Sequence, residues 1–213
     1  DVRRIVAGVT ANQALIDAAI EEGADTVLVH HGWFWRGEDS RVIGFRKARL
    51  QALLRHDINL VAYHLPLDGQ PELGNNARLA ALFDWRIEGR YGEQELGFFG
   101  EAMRPQSLSA LSDEVSAALH RPPLVVGDGN RQIERVAWCS GGGQSYFEQA
   151  ALLGVDAFLS GEISEHSVHL ARGTGVAYIA AGHHATERLG IRALAEHLAK
   201  NLELECRFAG VRG

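Results

Sequence analysis

The sequence predicts an α/β fold built from two similar halves, and three observations carry that prediction. Apolar strand-length runs alternate with helix-length segments through most of the 213 residues, the pattern of parallel strands joined by crossover helices. Residues 4–7, 14–25 and 26–31 have counterparts at a constant displacement of 131 positions, in 135–138, 145–156 and 157–162. In each half a later apolar run, 59–63 and 176–180, leads into a histidine with a carboxylate four residues on: His64 with Asp68, and His183 with Glu187. We therefore expect a first α/β half over 1–84, a small inserted αβ element over 85–130 and a second α/β half over 131–213. Pseudo-symmetry would relate the halves and place a metal site between them.

The elements follow in order. A strand over 5–9 precedes a helix over 12–22, and Gly23 is placed to end it. A strand over 26–29 runs into His30-His31-Gly32. Residues 41–55 read as a basic helix, with Arg46, Lys47 and Arg49 on one face and Phe45, Leu50, Leu53 and Leu54 on another. A strand over 60–63 and a helix over 75–83 complete the first half. Pro66 between them suits a loop or a first helical turn. The middle contributes a short strand over 96–99, a helix over 109–119 that Ser107 or Ser109 would cap, and a strand over 124–126. The second half repeats the plan: a strand over 135–138, a Gly141-Gly142-Gly143 turn and a helix over 146–153. A strand over 157–159, a helix over 164–171, a strand over 176–180 and a helix over 186–199 follow. The strands are expected to pair largely in parallel. Ligands in such sheets sit beyond the carboxyl ends of the strands, where His30, His31, His64, Glu162 and His183 fall.

Composition sets the class. With 46% hydrophobic and 23% charged residues the chain is an ordinary globular one, able to bury a real core. A formal charge of −6 counts against a dedicated nucleic-acid binder, whose affinity rests on neutralising phosphates. Cys139 and Cys206 form neither a CxxC pair nor a secreted framework, so a reducing cytoplasm is the expected location. No run approaches the ~18 apolar residues of a membrane span. A strand begins almost at Asp1, which leads us to expect an upstream segment.

The chemistry is in the repeated pairs. A histidine and a carboxylate four apart can clasp one ion through an imidazole nitrogen and a carboxylate oxygen. A single such pair is common by chance. Two in equivalent positions, with the His30-His31 doublet at a third strand end, put six candidate ligands in one layer of the fold: His30, His31, His64, Asp68, His183 and Glu187. Taken alone, the doublet reads as a core histidine beside a turn residue; in context, adjacent rings leaving a strand on opposite sides can serve two ions. His184 reads as a ring that supports a neighbouring ligand or faces solvent. Imidazole and carboxylate ligation suits two divalent ions of Zn, Mn, Fe, Co or Ni, and the sequence does not choose among them. Two ions ~3.5–4 Å apart with a water between them lower its pKa, so the expected reaction is hydrolysis. Glu162 reads as a general acid/base or a hydrogen-bond acceptor, and equally as a polar helix-capping residue. Gly141 to Gly143 reads as a phosphate seat or as a tight turn. Trp33-Phe34-Trp35 reads as a ring-stacking surface or, more simply, as a core or interface anchor. Cys139 has no activating partner and reads as buried packing.

Together, Val29-His30-His31-Gly32, His64-Leu65-Pro66-Leu67-Asp68 with Leu73-Gly74-Asn75-Asn76, Ser140-Gly141-Gly142-Gly143, Ser160-Gly161-Glu162 and Gly182-His183-His184-Ala185-Thr186-Glu187 resemble the NIF-three-like dinuclear metal-centre family. Its members are often labelled GTP cyclohydrolase I type 2 homologues, and the resemblance is to the bacterial YbgI-type members. It implies a homohexameric toroid with metal sites facing its interior. It also implies that His30 and His31 bind one metal each, that Asp68 and His183 complete opposite sides, that Glu187 bridges, and that His64 lies at or beside the metals. The family's usual Asn-x-Gly-Leu-Gln-type opening is absent here. The implied function is metal-dependent hydrolysis of a nucleotide or related small molecule. The alternatives are a metal-holding or metal-insertion scaffold and a toroidal protein associated with DNA binding or repair.

Overall fold

Asp25 and Asp156 each fix the start of a strand pairing. In the computed structural model, which describes residues 1–211, the Asp25 Oδ2 accepts from the backbone N–H groups of Arg3 and Arg4 at 2.7 and 2.9 Å. Asp156 Oδ2 accepts from those of Glu134 and Arg135, both at 3.0 Å, and the two sets are related by the same displacement of 131. Partial burial pushes both carboxyls up, but the backbone donors outweigh it and hold both below the usual aspartate value. The strand that begins at Arg4 and the strand that holds Arg135 are each thereby tied to the turn before the strand that follows.

The chain forms two compact units, Asp1–Leu67 with the segment from Gly190 onward, and Asp68–Leu189. The first unit holds a four-stranded sheet ordered β10-β1-β2-β3, from β1 (Arg4–Thr10), β2 (Thr26–His31), β3 (Asn59–Ala62) and β10 (Glu205–Phe208). Every pairing in it is parallel. Its central strands read Ile5-Val6-Ala7-Gly8-Val9 and Val27-Leu28-Val29, with almost no polar alternation, because helices cover both faces. One face packs on α1 (Gln13–Glu21), whose Asn12 side chain accepts from the Leu15 N–H as its cap, and on Leu53 of α2 (Gly44–Arg55). Ile5, Ala7, Val9 and Leu28 on the other face pack with Ile191 and Ala195.

The second unit holds a six-stranded sheet ordered β4-β5-β7-β8-β9-β6, from β4 (Trp85–Tyr91), β5 (Gly97–Ser107), β6 (Leu124–Val126), β7 (Gln132–Cys139), β8 (Ala157–Ser160) and β9 (Ala177–Ala180). Only β7-β8-β9 pair in parallel; β4-β5, β5-β7 and β6-β9 are antiparallel. The expectation of largely parallel strands therefore holds for the repeated segments and fails for the middle, whose strands extend this sheet. Ile5 pairs with Thr26 and Val136 with Ala157, and the register runs in step through Gly8 with Val29 and Cys139 with Ser160. Leu79, Phe83, Phe98, Leu111 and Trp138 are buried together on one face, where α4 (Asn75–Phe83) and α5 (Leu108–Leu119) pack. Phe147, Phe158 and Tyr178 are buried on the other. α6 (Phe147–Ala151) and α7 (Glu165–Thr174) follow the first two parallel strands.

Three expectations on elements change. The strand expected over 96–99 runs on to Ser107, and β4 pairs with it as a hairpin that the charges in Arg86-Ile87-Glu88-Gly89-Arg90 conceal. The helix expected over 146–153 is a 3₁₀ turn at Gly143–Tyr146 followed by the short α6. The helix expected over 186–199 is α8 (His183–Leu202), which begins three residues earlier, so His183 and Glu187 are one turn apart. No described helix is long and apolar enough to cross a membrane.

Candidate metal centre

In the first unit β2 ends on His30 and His31, and His64 follows β3. Their rings meet with centroids 4.7 Å (His30 to His31), 5.1 Å (His30 to His64) and 5.4 Å (His31 to His64) apart. One nitrogen from each of the three lies within 4.8 Å of the others, a spacing that can hold an ion. Backbone and hydroxyl groups hold two of the rings from behind. His30, fully buried, places Nδ1 2.9 Å from the Tyr63 carbonyl. A carbonyl oxygen only accepts, so Nδ1 carries the proton and a metal would be held through Nε2. His31 Nδ1 lies 3.1 Å from Thr10 Oγ1, across the β1-β2 pairing. This is how imidazole ligands are oriented: one nitrogen anchored, the other presented. Trp35 stands edge-on to His64 at 4.6 Å between centroids.

In the second unit His183 opens α8 between two carboxylates. Its Nδ1 donates to Glu162 Oε1 at 2.7 Å and its Nε2 lies 3.0 Å from Glu187 Oε1. The Glu187 hydrogen bond, and then that of Glu162, raise the imidazole pKa to about 9 against the opposing effect of desolvation. Glu187 is buried, and Gly141 packs directly onto it: a Cβ at Gly141 would lie 2.0 Å from Glu187 Oε1, and the backbone there has φ +62°. The Gly141 N–H donates to Thr186 Oγ1 at 2.9 Å, which ties the glycine turn to the first turn of α8. Asp68, in α3 (Leu65–Gly69), is buried too. Its Oδ1 accepts from Asn75 Nδ2 at 2.8 Å and from Ser140 Oγ at 3.0 Å.

All six sequence-predicted ligands are thus strand-end or helix-start residues with imidazole or carboxylate donors. Three imidazoles gather in one unit; one imidazole and two carboxylates lie in the other. Nitrogen and oxygen donors of this kind fit a borderline divalent transition metal. His184 is half-buried beside them. Glu162 is the acceptor that orients His183, while Ser164 caps α7 by accepting from the Ser167 N–H. Cys139 is buried, which pushes its thiol up to about 12, helped by the charges of Asp68 and Glu187. Sequence reasoning gave no role to Asn75, Asn76, Ser140, Thr10 or Thr186. The signal for the asparagines was two amides opening a helix whose other residues, Arg78 apart, are apolar; both are fully buried, and neither is the cap of α4, which is Gly74.

A family model described as Duf34/NIF3 (NGG1p interacting factor 3) matches residues 1–212. The chain belongs to the Duf34/NIF3 family. A protein of Neisseria meningitidis serogroup B named GTP cyclohydrolase 1 type 2 homolog is 52% identical over 208 residues, covering 97% of this chain and 84% of that protein. The protein of the same name from Escherichia coli K12 is 51% identical over 211 residues, covering 99% and 85%. A solved structure described as "Structural genomics, protein ybgI, unknown function" matches with a TM-score of 0.97 at 50% identity, covering 100% of this chain and 86% of that one. The resemblance read from the histidine motifs is borne out, and so is the α/β class, a mixed one with two sheets. As a Duf34/NIF3 member the chain carries, within its first unit, a group of three histidines that could hold a metal ion.

Proposed function

We propose that this chain is a dinuclear metal-dependent hydrolase acting on a nucleotide or related small molecule. The observation that carries the reading is the cluster of His30, His31 and His64, with the Nδ1 of His30 and of His31 already anchored by Tyr63 and Thr10. Such anchoring is the arrangement of ligands and is costly to build for packing alone, since it buries the polar ring of His30. His30, His31 and His64 would hold the ions together with Asp68, His183 and Glu187, with Glu187 as the shared carboxylate and the two sequence halves related by pseudo-symmetry around the pair. Bound ions would supply Lewis acidity, polarising the substrate and making a water acidic enough to attack near neutral pH. The chain's own residues do the rest. Glu162 holds the proton on His183 Nδ1, which presents Nε2. Its partly exposed carboxylate is also placed to move a proton to or from a substrate. Asn75 and Ser140 donate to Asp68 Oδ1 and fix the direction of its carboxylate. Within the glycine turn, Gly141 is assigned to close packing on Glu187. The names of the relatives support a nucleotide as the substrate class.

We further propose that the protein works as a homohexamer in the cytoplasm. Leu54 and Val42 are exposed beside Leu50 on one side of α2, a surface that a subunit contact would cover. Both cysteines are free, as a reducing compartment would keep them.

The test is elemental mass spectrometry on protein purified without chelators. Two transition-metal ions per chain are expected, and GTP consumption should follow that metal. Glu187→Gln is expected to fold normally and to lose at least one ion; full occupancy would overturn the shared-carboxylate role. His183→Ala should lose far more metal than His184→Ala. Protein that neither carries nor takes up metal would overturn the whole reading.

A further inference from the structure

Trp33 and Trp35, just after the histidine doublet, line a cavity of about 290 Å³ within the first unit that His31 also lines. Trp33 forms part of its wall, held in place by donation from Nε1 to the Ala11 carbonyl at 2.8 Å. Trp35 lines it too and is 40% exposed, which is unusual for an indole packed against two imidazoles. Arg46 and Arg49 of α2, three residues apart on one helical face, supply two guanidiniums. Arg46 is fixed by Glu38 at 3.0 Å and by the Asp39 carbonyl. Arg49 stacks over the Phe45 ring at 5.0 Å, and no carboxylate pairs with it among the described residues. The cavity therefore holds two fixed positive charges against the single carboxylate of Glu38.

We propose that this cavity binds a flat heteroaromatic ring carrying a phosphate chain, with the ring on Trp35 and the phosphates on Arg46 and Arg49. A bare phosphate would have no use for the indoles, and a neutral ring would have no use for two guanidiniums; the pair of features selects a ligand with both. Trp35 lies 4.6 Å from His64 and 6.4 Å from His31 between centroids, so a ring seated on it would stand beside the imidazoles. The proposal rests on the nucleotide reading above for its choice of probe.

The experiment uses the full chain stripped of metal, so that no ion can hold the phosphates, and titrates it with GTP, guanosine and inorganic triphosphate. Binding is read by calorimetry and by tryptophan emission; Trp85 and Trp138 are buried, so quenching reports on Trp33 and Trp35. GTP should bind about tenfold tighter than either fragment. Arg49→Gln should weaken GTP and triphosphate about tenfold and leave guanosine unchanged. Trp35→Leu should weaken GTP and guanosine, abolish most of the quench and leave triphosphate unchanged. The proposal is overturned if both variants bind GTP within about twofold of the wild type, or if the wild type binds none. Metal uptake by the same proteins separates the two readings: a chain that takes up its ions yet ignores GTP refutes this cavity and leaves the metal centre standing.

Discussion

Asn76 offers the sharpest test of how the second unit holds Asp68. It is fully buried, and its amide serves three backbone groups. Nδ2 donates to the Leu96 carbonyl at 3.1 Å and, at a weak 3.4 Å, to the Asp68 carbonyl; Oδ1 accepts from the Ser140 N–H at 2.8 Å. Asn76→Ala strands the Leu96 carbonyl and the Ser140 N–H away from water. Each costs about 1–3 kcal/mol, so the expected loss is about 4 kcal/mol, to which the longest bond adds little. Asn76→Asp is nearly isosteric and still accepts from Ser140, but it turns a carboxylate oxygen toward two carbonyls, so it should cost at least as much. Urea unfolding followed by tryptophan emission measures both, and Trp138, whose Nε1 donates to the Asn76 carbonyl at 2.9 Å, reports from the same place. The Asp variant should recover stability as pH falls, because a neutral carboxyl can donate. The reasoning is refuted if either variant lies within about 1 kcal/mol of wild type with an unchanged slope in urea.

Three further outcomes are expected. In the metal-free protein His183 should titrate near 9 by nuclear magnetic resonance. A raised folded pKa means that its stabilising charge is fully present below about 6.5 and lost as pH rises through 9, and Glu162→Gln or Glu187→Gln should each bring the value down. Gly141→Ala, whose new methyl would meet Glu187 Oε1 at 2.0 Å on a left-handed backbone, should displace that carboxylate and cost bound metal; Gly142→Ala, with nothing nearer than 3.7 Å, should keep it. Elemental analysis of both variants decides, and equal retention would sink the packing argument. Finally, Cys206 should be alkylated in the native protein well before Cys139, whose thiol is buried with a pKa pushed up to about 12. Mass spectrometry of partly labelled protein would show it.

Much of the fold was legible because its signals are local. Continuous apolar runs mark strands covered on both faces, and Ile5 pairs with Thr26 as Val136 does with Ala157, at the displacement of 131 read from the sequence. The six residues expected as ligands were picked out in the same local way, from the rule that such sheets carry their sites at strand ends. What sequence left out depends on pairings far apart in the chain. β10 joins β1 across some two hundred residues, Arg4 with Glu205, as a strand too short and polar to announce itself. β4 alternates charges on an exposed edge, and α8 starts early because the His183 and Thr186 side chains find partners in Glu162 and the Gly141 turn. The hydrogen bonds of Asn76 and Ser140 were hidden for the same reason, although both residues stand in the motifs. By itself the sequence determined which residues carry imidazole and carboxylate chemistry and where along each strand they stand. Only the tertiary structure decided which nitrogen of His30 is anchored, which carboxylates flank His183 and which amides hold Asp68, because a hydrogen bond is selected by distance and direction in space, and neither is written in the order of residues.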